Sequence, residues 1–168
     1  MRVIKLGLIS LVFLFLLMLA ISSLMPSVIA VSRVVDINAP ADSVYNMVND
    51  LSKWKLWLEN YDSSGAILKT DAAGRVTQSK VNATTITIVE TAPQNIKTIW
   101  QAGNGQPLSG TFNVISHDSS SQTTLHWQFN QKIKWYPWEK FAAIASDKTL
   151  GPFMEKSMEN LKKLMERS

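Results

Sequence analysis

The sequence predicts an α+β chain: one N-terminal transmembrane helix, then a single domain in which a curved antiparallel β-sheet wraps around a long C-terminal helix. Three observations carry this expectation. Residues 6–25 are apolar without a charge, residues 64–132 alternate in short runs between turn residues, and residues 139–168 return to helical period.

The stretch Leu6 to Met25, LGLISLVFLFLLMLAISSLM, contains no charged residue. At about 1.5 Å per residue it covers about 30 Å, the thickness of a bilayer's hydrocarbon core. Its apolar side chains fall on every helical face, as lipid requires, and Pro26 supplies a natural stop. Arg2 and Lys5, with no acid beside them, favour an N-inside orientation that places the domain outside the cytoplasm. A cleaved signal peptide is the competing reading, because the basic start is followed by the small-residue segment Val28-Ile29-Ala30. The apolar run exceeds the roughly 7–15 residues of a signal h-region, which favours an uncleaved anchor. The expected division is therefore an anchor over residues 1–30 and one domain over residues 31–168.

That domain holds all 13 acidic residues and 15 of the 17 basic ones, a net charge near +2. Basic residues are spread along it and concentrate only at Lys162, Lys163 and Arg167 on the last helix, so nucleic acid is not an expected partner. The lack of cysteine fits an oxidising compartment, although many cytosolic domains share it.

Within the domain, Val31 to Asn38 reads as a first strand stopped at Ala39-Pro40. Pro40 suits a helix's first turn, and Val44, Met47, Val48 and Leu51 recur at helical spacing behind it. The segment SKWKLWLENY follows as a short second helix or ordered loop, with Trp54 and Trp57 on one side. Strands are expected near 64–70, 74–82, 84–91, 95–102, 108–117 and 122–132, with turns at 71–74, 92–94, 103–105 and 118–120. The last strand alternates most cleanly: Leu125, Trp127 and Phe129 on one face, Thr124, His126, Gln128 and Asn130 on the other. Leu150, Phe153/Met154, Met158, Leu161 and Leu164/Met165 form the apolar stripe of the closing helix. Gly151-Pro152 is expected to break or kink it, leaving a short helix at about 139–149 ahead of the long one.

The strand RVVDINAP, the helix ADSVYNMVNDL, the KWKLW segment, the β-meander and the terminal GPFMEKSMENLKKLMER together resemble the SRPBCC superfamily. That superfamily is also described as START-like, or as polyketide cyclase/dehydrase and lipid-transport-like, with the helix-grip fold. The resemblance covers nearly all of residues 31–168. Its most telling part is Ile37, Ala39, Pro40 and Val44 followed by Asp50 and a tryptophan, and the opening is similar to that of membrane-anchored bacterial members. It implies a cavity for a hydrophobic ligand between sheet and C-terminal helix, with the domain on the periplasmic side. The chain departs from the pattern at Trp54-Lys55-Leu56-Trp57, where related members often have Trp-Pro-Trp, and at Ser157, where they often have a glycine.

Candidate cavity residues are Trp54, Trp57, Trp100, Phe112, Trp127 and Phe129, together with Trp138, Phe153 and Met154 from the helical end. Aromatic side chains dominate cores and ligand sites alike, and Trp127 between Leu125 and Phe129 is most simply a core residue. Trp135 and Trp138 suit a gate or a membrane-interface contact. No catalytic residue is assigned: His126 falls on the wet strand face, His117 near a hairpin end, and there is no nucleophile elbow or phosphate-binding loop. Without cysteine or a histidine-carboxylate cluster no metal site is expected, and no cofactor. The leading expectation is a membrane-tethered binding module for a lipid or other hydrophobic small molecule, held to the bilayer by residues 6–25. The alternatives are an enzyme of the polyketide cyclase/dehydrase kind, which would need Tyr45, Tyr61 or Glu90 turned into the cavity, and a ligand-free interaction or stress-response module.

Overall fold

A computed structural model describes residues 2–24, 27–61, 65–117, 121–133, 138–139 and 146–167. The order of elements is α1 (Arg2–Leu24), β1 (Val28–Ile37), α2 (Ala41–Val48), a 3-10 helix (Leu51–Leu56), β2 (Ala66–Thr70), β3 (Val76–Val81), β4 (Thr84–Ala92), β5 (Asn95–Ala102), β6 (Leu108–Ser116), β7 (Thr123–Lys132) and α3 (Ser146–Glu166). The expected turn at 118–120, Trp135 and most of the expected helix at 139–149 lie outside the described residues.

Helix α1 is long and apolar enough over Val3–Leu24 to cross a membrane, and residues 3–18 are all exposed. Four residues beyond its end, β1 begins at Val28, earlier than the sequence pattern suggested. The reason is its partner: β7 runs to Lys132, so Val28, Ile29 and Ala30 find Lys132, Gln131 and Asn130 to pair with.

The strands form one curved antiparallel sheet in the order β1-β7-β6-β5-β4-β3-β2. The meander β2 to β7 joins each strand to its sequence neighbour, and β1 closes against β7 from the other edge. A register shift between Ile88 and Glu90 interrupts β4 against β5, and an extra residue of this kind bends a strand and sharpens its twist. Strand alternation sets the two faces. Leu125, Trp127 and Phe129 of β7 are at most 1% exposed, while Thr124, His126, Gln128 and Asn130 between them are half-exposed. On β1 the residues opposite the buried set, Val31, Arg33 and Val35, share that inner face.

Helix α3 covers the inner face, packing chiefly against β1, and buries Met154, Ser157, Met158 and Leu161. The break expected at Gly151-Pro152 does not occur: the helix runs unbroken from Ser146 to Glu166 with Pro152 in its second turn. Proline removes one backbone bond there. Arg33 bridges this turn from β1, bonding Asp147 before the proline (3.0 Å) and Glu155 after it (2.6 Å).

The short α2 and the 3-10 helix cap the sheet on the same side. Asp50 accepts hydrogen bonds from the Ser52 N–H (3.0 Å), the Ser52 hydroxyl (2.7 Å) and the Val76 N–H (3.2 Å), so one carboxylate starts the 3-10 helix and ties it to β3. Burial opposes the Asp50 charge, but these bonds, helped by Lys53 nearby, hold its carboxyl below the usual carboxylate range.

Candidate functional site

Facing inward positions of the 3-10 helix, β5, β6, β7 and α3 bring most of the large aromatic side chains to one place. Trp54 and Trp57 have ring centroids 5.2 Å apart, Phe112 stacks on Trp127 at 4.8 Å, and Phe153 meets Trp127 at 5.8 Å. Trp54 donates its indole N–H to the Val48 carbonyl at 2.8 Å. The indole N–H groups of Trp57 and Trp127 are buried with no hydrogen-bond partner among the described residues. This cluster is closed packing: Trp54, Trp57, Phe112, Trp127, Phe129 and Met154 are each at most 1% exposed.

A cavity of about 550 Å³ remains beside the cluster, between the sheet and the N-terminal part of α3. Leu58, Val81 and Ile86 form its buried wall, and half-buried Trp100, Leu108, Leu150 and Phe153 complete the apolar surface. Exposed Asn60, Asn82, Gln106 and Thr149 stand around the mouth. Asn60 and Asn82 both adopt left-handed backbone (φ 56° and 54°), which asparagine tolerates better than most residues. The Asn82 side-chain amide donates to the Asn60 carbonyl at 3.2 Å, joining the two turns across the rim.

Trp100 is held in place by a short chain of bonds. Its indole N–H donates to the Thr98 hydroxyl at 3.0 Å, which donates in turn to the Gly110 carbonyl at 3.2 Å. Gly110 has to be glycine for this: a Cβ would run into the Thr98 hydroxyl and lie 3.0 Å from the Phe129 ring and 3.2 Å from the Trp100 indole nitrogen. Ser157, fully buried, sets the opposite wall. Its hydroxyl donates to the Phe153 carbonyl at 2.7 Å and accepts from the Glu59 N–H at 3.0 Å, clipping the loop after the 3-10 helix to α3.

Glu59 is the one ionisable residue among the described residues lining the cavity, and its carboxylate takes the Lys156 ammonium at 2.6 Å. Glu90 points to solvent and pairs with Lys97, while Tyr45 and Tyr61 pack at the margin of the core. His117 is exposed with Nε2 beside the Thr124 hydroxyl, and His126 lies on the outer sheet face. No group of three His, Cys, Asp or Glu residues comes together among the described residues.

Of the nine cavity candidates, Trp100 and Phe153 line the pocket. Six form the packing behind it, and Trp138, 62% exposed, is not among the described lining residues. The aliphatic wall and amide rim were missed because strand-end aliphatics look like ordinary core residues and turn asparagines like ordinary turn residues. Their adjacency to the turns at 82–83 and 103–107 is the one signal that marks them out.

No curated protein matches the chain. Among solved structures, a START superfamily protein from Mycobacterium smegmatis superposes with a TM-score of 0.63 at 20% identity, covering 82% of this chain and 97% of that one. The Zhui aromatase/cyclase from a Streptomyces species gives 0.64 at 15% identity, covering 83% and 94%. At such identities the likeness is one of fold. The family model described as polyketide cyclase/dehydrase and lipid transport matches residues 28–166, the whole span from the first strand to the end of α3. The curved sheet gripping α3 is thus a helix-grip domain, and the chain belongs to the polyketide cyclase/dehydrase and lipid transport family.

Proposed function

We propose that this protein is a membrane-tethered binding module that holds a lipid or other hydrophobic small molecule in the pocket between the sheet and the N-terminal half of α3. The observation that carries the reading is the pocket itself. Its volume of about 550 Å³ lies within the roughly 300–1,000 Å³ of small-molecule sites. Its wall is aliphatic and aromatic, and its mouth is ringed by amides and hydroxyls that can orient a polar head without demanding a charge. Helix α1 supports the tether by its length and composition.

Binding rather than catalysis fits the chemistry of the lining. Proton transfer needs a group of suitable pKa within reach of the substrate. Among the described residues the lining offers Glu59 alone, already engaged by Lys156.

The test is titration of the full chain in detergent with cis-parinaric acid, a fluorescent fatty acid, read by energy transfer from tryptophan. Saturable binding is expected, with a large loss in Leu150→Trp, which fills the pocket from α3. Absence of saturable transfer, or equal binding by the filled variant, overturns the reading.

A further inference from the structure

The pocket mouth and the end of α1 lie at the same end of the sheet. Gln131, on the pocket lining, pairs with Ile29, and Lys132 beside it pairs with Val28, the first residue of β1. The Ile133 N–H donates to the Ser27 carbonyl at 2.9 Å, extending that pairing by one more step. The turns carrying Asn82 and Gln106 close β3–β4 and β5–β6 at this end, and α3 begins here at Ser146. The turns at Asp71–Gly74 and Pro93-Gln94 lie at the opposite end.

Chain length turns this placement into a constraint. Leu24 ends α1 and Val28 starts β1, and four residues span at most about 14 Å. The headgroup layer is about 5–8 Å thick on each side of the hydrocarbon core. A membrane-spanning α1 therefore keeps the mouth at the lipid headgroups and the opposite end of the domain in water. Val28, 48% exposed at the start of β1, adds apolar surface where an interface favours it.

Resting on the proposal that the pocket holds an apolar ligand, we infer that its mouth is held against the bilayer and that it fills with a single hydrocarbon chain drawn directly from the leaflet, without passage through water. A cavity of about 550 Å³ is of small-molecule size and suits one hydrocarbon chain. The rim amides of Asn60, Asn82 and Gln106 then meet the ester or hydroxyl oxygens of a headgroup still in the interface.

Two measurements on the full chain in phosphatidylcholine–phosphatidylglycerol vesicles test this. The chain has no cysteine, so Asn104→Cys at the mouth end and Ala72→Cys at the far end each give one labelling site. An environment-sensitive label at Asn104→Cys is expected to be quenched several-fold more strongly by headgroup spin-labelled lipid than one at Ala72→Cys; equal or reversed quenching overturns the orientation. In the second, vesicles carry cis-parinaric acid, and loading is read by energy transfer from tryptophan. A flexible Gly/Ser insert of about 20 residues after Pro26, with a mean reach of about 25 Å, is expected to slow loading about tenfold or more. Equal rates overturn direct transfer and leave ligand binding intact. No transfer in either protein, with the fatty acid also failing to bind in detergent, sinks the ligand reading and this inference with it.

Discussion

Arg33 lies across Gly151. The guanidinium reaches over the helix where any Cβ on residue 151 would collide with it, and from that position it bonds Asp147 on one side of Pro152 and Glu155 on the other. Arg33 sits on the inner face of an edge strand, opposite Trp127. Such an inward charge discourages edge-to-edge pairing, and here it also clamps the proline-containing turn that forms one side of the pocket.

The clamp predicts a coupled pair. Gly151→Ala alone should be near neutral, because the gain of about 1 kcal/mol in helix propensity is offset by displacement of the guanidinium. In an Arg33→Ala background the same change should stabilise outright, giving a coupling of about 1 kcal/mol in a double-mutant cycle. Arg33→Ala by itself should cost about 1–2 kcal/mol for two partly exposed ion pairs and the packed stem, less at high salt. Urea unfolding of the four proteins in detergent, at low and high salt, reads all three values. Additive effects would show that Arg33 and Gly151 do not communicate.

Ser157 carries a second prediction. Its hydroxyl satisfies the Glu59 N–H, so Ser157→Ala should cost about 1 kcal/mol and loosen the Leu58–Asn60 wall. Ser157→Gly should cost more, since glycine adds about 1 kcal/mol of helix penalty. Weaker cis-parinaric acid binding is expected in both, and unchanged binding would separate this hydrogen bond from the shape of the pocket.

Gly110 should tolerate no side chain. Gly110→Ala pushes on Thr98, Phe129 and Trp100 at once, an overpacking that typically costs about 1–3 kcal/mol. The near-ultraviolet circular dichroism of the tryptophans should change with it, and an unaltered spectrum at full stability would contradict the close approach.

Asp50 sets part of the acid stability. Its folded pKa is depressed, so its contribution is fully present above the ordinary carboxylate value of about 3.9 and is lost as pH falls through the lower folded value. Asp50→Ala should lower stability at neutral pH by about 0.5–2 kcal/mol, and its stability should fall less steeply below about pH 4. Asp50→Asn, which keeps a carbonyl acceptor, should lose less at neutral pH and share the shallower acid limb. Parallel acid limbs in wild type and both variants would remove Asp50 from the account.

Most of the fold was legible because it follows local rules. Periodicity of two placed the strands, as with Leu125, Trp127 and Phe129, and periodicity of three to four placed α2 and the stripe from Met154 to Leu161. The break expected at Gly151-Pro152 does not occur, and Arg33, 118 positions before Gly151, ties the residues on either side of the proline together through Asp147 and Glu155, contacts that no window around the proline contains. The pocket was half legible: Trp100 and Phe153 stood out as aromatics, but nothing local distinguishes them from Trp127 or Phe112 behind them.

The sequence by itself determined the apolar N-terminal helix, the order and facing of the strands, the amphipathic closing helix and the family pattern, since each depends on residue type at short spacing. Only the tertiary structure decided which aromatics fill the core and which line the pocket, that α3 continues across Pro152 with Arg33 bridging the turn, and that the mouth opens where α1 joins the sheet. Those features depend on strand register and on contacts between residues a hundred or more positions apart, where packing volume and hydrogen-bond geometry choose among side chains that local chemistry leaves equivalent.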